Sequence, residues 1–472
     1  MTRTSGVDET NWALITYHGT VVRYDPGAHR MRHDAIGAHE PNLFLVERGA
    51  RVVLAWKDGE KFRPLDPETT PAGDPALLTA ARSAAGLLTL STEGRFLRAD
   101  RDGTLAFVHT QALDWERFVA VRPDDLARLA FILTSRWFSA LTGTFIDPEA
   151  DHGVGRHRAQ FGPNRYRVTD LIEAARADPT GSPVPRELFL TYDTWKTERY
   201  ILYRPLAYFV AYGKEEMFNC AEIAIRTLFD FGEWDGDVLL ITDVGHSDFP
   251  ERLPADIRAR VRIELVPAQD MLDYNLARYA IADFEWVERY QPIIYIDTDV
   301  VCDAPLQKMS QTIALTPELH AMPEYALGGP KNFYGESLMA ADGMMIDPEK
   351  TGYCAGIFAF RNIQEQRRLL RTIAATARHV TSMVGNRDAF DVYDQPFFNY
   401  VNFKTGSCTG AVFRQVIQMH PSFRPLLTAK VGKGLVHFAG GVGNTTPKLT
   451  HMLTYLEVLA RERRQRVAPP AG

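Results

Sequence analysis

The chain has 472 residues, of which 45% are hydrophobic and 24% are charged, and its formal net charge is -6. This length predicts two or three domains, and the composition excludes a largely disordered protein. The negative charge argues against nucleic acid as a partner, because proteins that bind a duplex usually present a basic face.

The cysteines and the apolar runs indicate the compartment. Four cysteines, at positions 220, 302, 354 and 408, lie far apart and form no C-x-x-C pair, so a reducing compartment is expected. The N-terminus shows no apolar signal segment. The most apolar helical stretch, residues 126–146, contains Arg128 and Arg136 and is not a transmembrane helix. We therefore expect a cytoplasmic protein without a transmembrane segment.

Residues 1–122 contain short apolar runs separated by turns with glycine and aspartate, which predicts a β-rich domain. Residues 19–25 resemble residues 94–100, and residues 49–55 form a poorer third copy. Three such units of roughly 35 to 40 residues would make a β-trefoil, and residues 94–107 resemble the fascin-like and lectin-like trefoils. An unrelated small β-barrel or sandwich is the alternative. A trefoil would imply a binding site for a glycan or a protein, by analogy of fold alone.

The rest of the chain divides into three parts. Residues 123–200 are predicted to be a helical and irregular connector, and residues 461–472 a basic, flexible tail. Between them, residues 201–460 alternate strand and helix patterns, which predicts a mostly parallel sheet covered by helices. Strands are predicted at residues 206–212, 237–243, 261–266 and 293–296, and helices at residues 217–231 and 274–289.

Two aspartates follow the last of these predicted strands. Asp297 and Asp299 are two residues apart, so both side chains point the same way if the strand geometry continues. Ligands of such sheets bind at the carboxyl ends of the strands. Two carboxylates at that edge suit a divalent Mg or Mn ion that also binds phosphate oxygens. A surface turn or helix cap is the alternative for a bare D-x-D.

Four blocks of the sequence resemble glycosyltransferase family 8, the group of glycogenin and the bacterial lipopolysaccharide galactosyl- and glucosyltransferases. They occur in the family's order and are Y-I-D-T-D-V-V (295–301), G-Y-C-A-G-I-F-A-F-R-N (352–362), D-Q-P-F-F-N (394–399) and V-H-F-A-G (436–440). The resemblance implies a GT-A type nucleotide-sugar domain with a mixed, mostly parallel sheet. It also implies a UDP-sugar donor, a Mn²⁺ or Mg²⁺ ion and retention at the anomeric carbon.

The resemblance also implies roles for single residues. Asp297, Asp299 and His437 would hold the metal, with Asp297 also facing the donor. Ala355 and Gly356 would line the donor sugar. Asp394 would bind a sugar hydroxyl, and Gln395 would lie beside the reacting carbon. The uracil would be received by Ala211 and Tyr212.

Some of these roles also follow from residue chemistry. His437 comes after a short apolar strand and before glycines, and imidazole suits Mn better than Mg. Gly440 would let the backbone approach a diphosphate, and Lys448 and Arg278 could neutralise the charge that develops there. Each assignment has an alternative. His437 could be a buried core histidine, Gly440 part of a plain turn, Lys448 a solvated lysine and Tyr212 an ordinary core residue.

The chain departs from the family pattern at three positions. Cys354 replaces the usual asparagine, which removes an amide that would bond a sugar hydroxyl and puts the donor sugar in doubt. Pro396 replaces the second acid of D-Q-D. Lys448 follows Gly440 by eight residues instead of three. No carboxylate nucleophile stands out, so the mechanism of retention stays open.

Three other functions compete with this one. A glycoside hydrolase needs carboxylates on opposite sides of the scissile bond, whereas the two aspartates face one crevice. A nucleotidyltransferase leaves the A-G and D-Q blocks unexplained. A non-catalytic glycan- or protein-binding module with a decayed transferase domain is the third. The acceptor, whether glycan, protein or lipid-linked, and the oligomeric state are left open. Residues 310–345, rich in Met, Pro and Gly, are expected to cover the cleft as a lid or acceptor loop.

Overall fold

A computed structural model describes most of the chain as a mixed α/β protein with several sheets. It separates into two compact units, Met1–Leu202 and Tyr203–Gly472. The described residues are 11–39, 41–48, 51–65, 78–84, 86–146, 158–161, 164–177, 184–192, 196–327, 333–345, 347–387, 389–390, 392–419, 432–439 and 446–467. Within them, no helix is both long and apolar enough to cross a membrane.

The first part of unit 1 is built from short strands, as the sequence predicts. Gly19 and Gly94 occupy equivalent turns before the second strand of a hairpin, with φ of 73° and 77°, a backbone that favours glycine. The third copy begins at Gly49, outside the described residues. The strands are β1 (Asn11–Ile15), β2 (Thr20–Asp25), β3 (Arg30–Ala35), β4 (Leu43–Arg48), β5 (Arg51–Asp58), β6 (Lys61–Pro64), β7 (Thr79–Arg82), β8 (Leu88–Thr92), β9 (Arg95–Ala99), β10 (Leu105–His109) and β11 (Val119–Val121).

Six of these strands follow one another in a closed ring. Ladders join β1 to β4, β4 to β5, β7 to β8 and β11 to β1. Single bridges join the remaining neighbours, Val52 to Leu78 and Leu88 to Phe118. Hairpin strands β2–β3 and β9–β10 pair outside the ring. The interior is an apolar cluster that includes Leu54, Leu90 and Leu97, which are fully buried.

The region predicted as a connector is folded against this β-rich part within unit 1. Helix α1 (Pro123–Thr134) and helix α2 (Val168–Arg176) share an apolar cluster with strands β1 and β2, as do Trp137 and Tyr200. Asp125 on α1 is buried and paired with Arg176 on α2. The strands are β12 (Arg136–Ser139), β13 (Phe145–Ile146), β14 (Arg158–Phe161), β15 (Asn164–Arg167), β16 (Glu187–Tyr192) and β17 (Lys196–Tyr203), of which four form a sheet in the order β13-β12-β17-β16.

Unit 2 alternates strands and helices, as predicted. The strands are β18 (Leu206–Val210), β19 (Asp237–Thr242), β20 (Val261–Leu265), β21 (Ile293–Ile296), β22 (Val300–Cys302), β23 (Leu319–Ala326), β24 (Thr351–Phe360), β25 (Cys408–Thr409), β26 (Ile417–Met419) and β27 (Leu435–His437). The helices are α3 (Glu215–Asp230), α4 (Ala255–Arg258), α5 (Met271–Leu276), α6 (Gln307–Leu315), α7 (Glu336–Ala341), α8 (Ile363–Val384), α9 (Gln395–Thr405), α10 (Ala411–Val416) and α11 (Thr446–Val467).

The main sheet of unit 2 runs in the order β20-β19-β18-β21-β24-β23-β25. The first four strands are parallel to one another, and β24 is antiparallel to both of its neighbours. Strand β21 lies in the middle, and its four side chains alternate between two apolar clusters on opposite faces. Burial on both faces explains why Ile293–Ile296 is a continuous apolar run. A second sheet has the order β22-β27-β26.

Two segments differ from the prediction. The helix expected over residues 274–289 ends at Leu276 and continues as two 3-10 segments, Ala277–Asp283 and Glu285–Arg289, separated by Phe284 in an extended conformation. The expectation of a lid over residues 310–345 is wrong as stated. That segment contains β23, an inner strand between β24 and β25 whose Leu319 and Ala321 are fully buried. Its mixed composition conceals a short buried strand.

Candidate functional site

The three predicted metal ligands meet where β21 ends. The Asp297 amide donates to the Gly356 carbonyl at 2.8 Å, which keeps Asp297 beside β24. The Asp299 carbonyl accepts from Phe438 at 2.9 Å, which places Asp299 beside the end of β27. His437 is the last residue of β27 and pairs with Val300. One ligand atom from each of Asp297, Asp299 and His437 lies within 4.8 Å of the others.

Asp299 is buried between the Lys448 ammonium and the His437 ring. Its Oδ2 lies 2.6 Å from the Lys448 ammonium, and its Oδ1 lies 3.2 Å from Nε2 of His437. Burial on its own would raise the pKa of Asp299, but Lys448 and His437 outweigh that effect and hold the pKa below its usual range. Asp299 in turn raises the pKa of Lys448. The carboxylate is therefore ionised.

The residues fit a divalent cation. Oδ1 of Asp299 and Nδ1 of His437 are buried and make no hydrogen bond within the described part of the chain. The Nε2 of His437 lies 3.2 Å from this carboxylate oxygen. Buried polar atoms are normally bonded, so an unsatisfied oxygen in this place calls for a partner. Two carboxylates and an imidazole form a donor set that suits Mn²⁺.

Asp297 is held by groups that the sequence analysis did not connect with it. The Tyr295 hydroxyl donates to its Oδ1, and Nη2 of Arg278 lies 3.6 Å from the same oxygen. A Cβ atom at position 356 would lie 2.3 Å from Oδ2 of Asp297. Only glycine fits at this position without displacing the carboxylate. Gly356, predicted to line the donor sugar, therefore also makes room for the carboxylate of Asp297, a predicted metal ligand.

Arg278 connects Asp297 and Asp394, which lie on separate sequence blocks. It is buried, donates to the Ala355 carbonyl at 2.8 Å, and lies 3.5 Å from Oδ2 of Asp394 as well as beside Asp297. The Tyr279 hydroxyl donates to the same Asp394 oxygen at 2.5 Å. Burial raises the pKa of Asp394, and Arg278 opposes that rise in part. Arg278 thus supplies the positive charge that these carboxylates need at this edge of the sheet.

Gln395 is fixed at both ends of its amide. Its Oε1 accepts from the Ala355 amide at 3.2 Å, and its Nε2 donates to Oε2 of Glu324 at 3.2 Å. Cys354, in the position of the family's asparagine, is buried and its sulfur accepts from the Gly356 amide at 3.3 Å. Burial, with Glu324 and Asp297 nearby, raises the pKa of the Cys354 thiol.

Glu324 is a site residue that the sequence analysis missed. It lies on β23, and its Oε2 also accepts from the Tyr334 hydroxyl at 3.2 Å. Burial raises the pKa of Glu324. A signal was present, since the largely apolar stretch Leu319–Met322, interrupted by His320, ends in Pro323 and an acid, much as Ile293–Ile296 ends at Asp297. The composition of the surrounding segment directed the interpretation to a loop.

Ala211 and Tyr212 lie just beyond the end of β18. The Ala211 amide donates to the Ile241 carbonyl at 3.1 Å, and the Tyr212 hydroxyl donates to the Val266 carbonyl at 2.8 Å. The Tyr212 ring stacks on Tyr274, with 5.0 Å between centroids and 6° between planes. One face of Tyr212 is therefore covered by a second tyrosine, which the sequence analysis did not identify as a partner.

Of the two C-terminal residues predicted to lie near the diphosphate, Gly440 and Lys448, the structure describes only the second. Gly440 lies outside the described residues. Lys448 is in the first turns of α11, and it reaches the carboxylate of Asp299. Helix α11 is held in place by Met452, Tyr455 and Leu459, which belong to one apolar cluster with residues of β22 and β27. The Tyr455 hydroxyl also donates to Asp303 at 2.8 Å.

A cavity of about 280 Å³ opens beside Glu324. Strand β26 forms part of its wall, and Met419 on that strand pairs with His437. The cavity therefore adjoins the candidate metal centre. Its lining residues come from four elements of unit 2 and are Met322, Pro323, Glu324, Thr351, Phe413, Arg414, Ile417 and Met419.

No protein-family model matches the chain, and no curated protein matches it. Among solved structures, the chain is similar to the apo form of mouse xyloside xylosyltransferase 1, with 11% sequence identity and a TM-score of 0.34. The similarity covers 52% of this chain and 98% of that protein's chain.

Proposed function

We propose that the chain is a metal-dependent glycosyltransferase that moves a hexose from a UDP-sugar to an acceptor with retention at the anomeric carbon. The observation that carries the proposal is the convergence of Asp297, Asp299 and His437 at the end of a buried central strand. The four sequence blocks that resemble family 8 include all three residues. We further propose that Tyr203–Gly472 contains a GT-A type domain.

The cation in this proposal is Mn²⁺, with Mg²⁺ as the second choice, because an imidazole is among the ligands. When bound, it would act as a Lewis acid on the negative charge that develops on the departing UDP. The chain's own residues hold it in place. Lys448 fixes one oxygen of Asp299, and Tyr295 and Arg278 fix one oxygen of Asp297. Each carboxylate therefore keeps an oxygen for the ion.

The donor sugar is proposed to lie against Ala355, Gly356 and Cys354. Asp394 would bind a sugar hydroxyl there, and Gln395 would lie beside the anomeric carbon. The support for this arrangement is that Arg278 and Gln395 both bond to Ala355, so the donor residues form one connected group. Ala211 and Tyr212 would receive the uracil. Gly440 and Lys448 would lie nearest the diphosphate.

The first part of unit 1 is proposed to be a β-trefoil. The support is the closed ring of six strands, in which hairpins β2–β3 and β9–β10 occupy matching places. A glycan or a protein is the ligand that such a domain would bind.

The four cysteines are free thiols. They fit the proposal that the protein acts in the cytoplasm, where thiols stay reduced.

The test is a thermal-shift screen of UDP-sugars with Mn²⁺, followed by measurement of UDP release from the donor that raises Tm most. Bound donor stabilises the folded protein by RT ln(1 + L/Kd), where L is the free donor concentration. We expect Asp299→Asn to abolish release while the fold stays intact by circular dichroism. Asp256→Asn, at an exposed position on α4, is the matched control and should leave release unchanged. If the wild-type protein binds no UDP-sugar, a non-catalytic binding module is favoured instead.

A further inference from the structure

We propose that Glu324 is a catalytic residue that accepts the proton of the acceptor hydroxyl, and that the adjoining cavity holds one sugar ring of the acceptor. The inference rests on the proposed function and adds to it the base and the class of acceptor. In the proposed step the acceptor O–H bond breaks and its proton moves to Glu324. The acceptor oxygen bonds to the anomeric carbon on the face from which the diphosphate leaves, which keeps the configuration, and the bond from that carbon to the diphosphate breaks with its electron pair leaving on UDP.

The position of Glu324 is fixed by two donors. Gln395 and Tyr334 each donate to Oε2, at 3.2 Å in both cases. The Cys354 thiol adds a weak hydrogen bond to the same carboxylate. A carboxylate that is held through one oxygen can present the other in a defined direction. This is the arrangement that a general base requires, because it must be within hydrogen-bond reach of the proton it takes.

Gln395 places Glu324 next to the proposed donor sugar. Its amide oxygen is bonded to the Ala355 amide and its amide nitrogen to Glu324, so Gln395 spans from the donor residues to the carboxylate. With both ends bonded, Gln395 is a positioning residue for Glu324. His437 is close enough to influence the pKa of Glu324, so the carboxylate is also near the side where the diphosphate would leave.

The cavity has the size and lining for a sugar ring. At about 280 Å³ it lies at the small end of the range for ligand sites. Its accessible lining is mainly polar, and because Met322 and Phe413 are almost completely buried, Ile417 and Met419 are the apolar side chains that can contact one face of a pyranose. Glu324, Thr351 and Arg414 add polar groups at which hydroxyls could bond. This lining suits a glycan acceptor, because Glu324, Thr351 and Arg414 together offer both acceptors and donors for hydroxyl groups.

The protonation of Glu324 agrees with the role. Burial raises its pKa, which brings a carboxyl group closer to the operating pH at which a general base works best. Gln395, Tyr334 and the Cys354 thiol hydrogen-bond to it and His437 acts on it, each lowering the pKa in part. The balance is a raised pKa, so that Glu324 is more basic than an exposed carboxylate.

The first experiment measures UDP release without added acceptor, with water taking the place of the sugar hydroxyl. We expect Glu324→Ala to slow release by at least about 100-fold, the usual contribution of a general base, while the Kd for Mn²⁺ with UDP changes less than about twofold by calorimetry. Added formate should restore release in Glu324→Ala, because a small carboxylate can enter the space left by the side chain. Glu349→Ala, at an exposed site in unit 2, is the control.

The outcomes separate this inference from the proposed function. Release by Glu324→Ala within about tenfold of wild type, or no response to formate, overturns the role of Glu324. A wild-type protein that binds UDP with Mn²⁺ but releases no UDP from its donor also overturns it. A wild-type protein that binds neither UDP nor a UDP-sugar overturns the proposed function itself.

The second experiment tests the cavity. Methyl glycosides of glucose, galactose, mannose and xylose are added, and stimulation of UDP release by at least one of them is expected. Thr351→Trp, which fills the cavity, and Arg414→Ala, which removes a polar group at its rim, should each reduce the stimulation, whereas the exposed variant Glu349→Ala should keep it. Stimulation that survives both changes, or no stimulation by any glycoside, overturns the assignment of the cavity to a sugar ring.

Discussion

The Lys448 ammonium lies 2.6 Å from Oδ2 of Asp299, on a carboxylate whose other oxygen faces His437. The three residues come from the end of β21, the end of β27 and the first turns of α11. The pair is mostly buried, so its charges are poorly screened by solvent. Lys448 therefore balances the charge of Asp299 and fixes its orientation, in addition to any contact with a diphosphate.

Removing this cation should destabilise unit 2. Lys448→Met leaves a buried carboxylate with less compensation, so we expect the free energy of unfolding to fall by about 3 kcal/mol. Mn²⁺ supplies positive charge to the same carboxylate, so it should raise Tm by more in the variant than in the wild type. Differential scanning fluorimetry with and without Mn²⁺ measures both effects. Lys308→Met, an exposed change on α6, is the control, and an equal Mn²⁺ response in both proteins would contradict the prediction.

Gly356→Ala should disrupt the metal centre directly. The added Cβ would lie 2.3 Å from Oδ2 of Asp297, so the carboxylate must move. We expect Mn²⁺ affinity to fall at least about tenfold, equivalent to about 1.4 kcal/mol, as measured by electron paramagnetic resonance of free Mn²⁺. Gly245→Ala is the control, because its Cβ would be 3.5 Å from the nearest atom, an ordinary contact. Equal Mn²⁺ binding by the two variants would show that Asp297 is not a ligand.

Arg278 should contribute to folding because it is shared by two acids. Its replacement in Arg278→Met leaves Asp297 and Asp394 without their buried partner, which typically costs about 3 to 5 kcal/mol. Chemical denaturation of the full chain followed by circular dichroism measures the loss. Arg368→Met, at an exposed position on α8, provides the comparison. A loss in Arg278→Met no larger than in this control would mean that solvent, and not Arg278, stabilises the two carboxylates.

The stacked pair of Tyr212 and Tyr274 offers a test of the uracil site. Tyr274→Ala removes the ring that orients Tyr212, and an aromatic pair of this kind is worth about 1 kcal/mol. We expect roughly fivefold weaker binding of UDP in the presence of Mn²⁺ by calorimetry, with Mn²⁺ binding itself unchanged. Unaltered UDP affinity would place the uracil elsewhere.

Unit 1 should lose stability in mild acid because of His33. Burial lowers the pKa of His33, whose Nε2 bonds the Asp100 carbonyl and whose Nδ1 bonds Thr20. The unfolded chain therefore binds a proton near the ordinary pKa of about 6.5 when the folded protein does not. His18 opposes protonation as well, while Asp34 and Asp102 favour it in part. Stability should fall as pH decreases from about 6.5 towards the folded pKa.

Denaturation curves of the full chain at pH 7.5 and 5.5, recorded by tryptophan fluorescence, would measure this effect. His33→Asn should be less stable at neutral pH but should show a smaller loss between the two pH values. A wild-type curve that does not change between them, or an equal loss in the variant, would remove His33 as the cause.

Much of the fold could be predicted from local patterns in the sequence. The apolar run Ile293–Ile296 followed by Asp297 specifies a buried strand with carboxylates at its end, because both signals lie within a few residues. The repeat of Gly19 at Gly94 specifies matching turns in the same way, since positive φ favours glycine locally. Strand β23 escaped the prediction because its run Leu319–Met322 is short and lies among residues typical of loops.

Local pattern alone also pointed to His437, since an apolar strand carries it to the edge of a sheet. Only the tertiary structure decided what each of these groups faces. Asp299 meets Lys448 across 149 residues of chain, Arg278 joins Asp297 to Asp394, and Gln395 bonds Glu324. The physical reason is that charge balance and hydrogen bonding act through space. A carboxylate's partner is whichever group the folded sheet brings within a few ångströms, and sequence spacing carries no record of that distance.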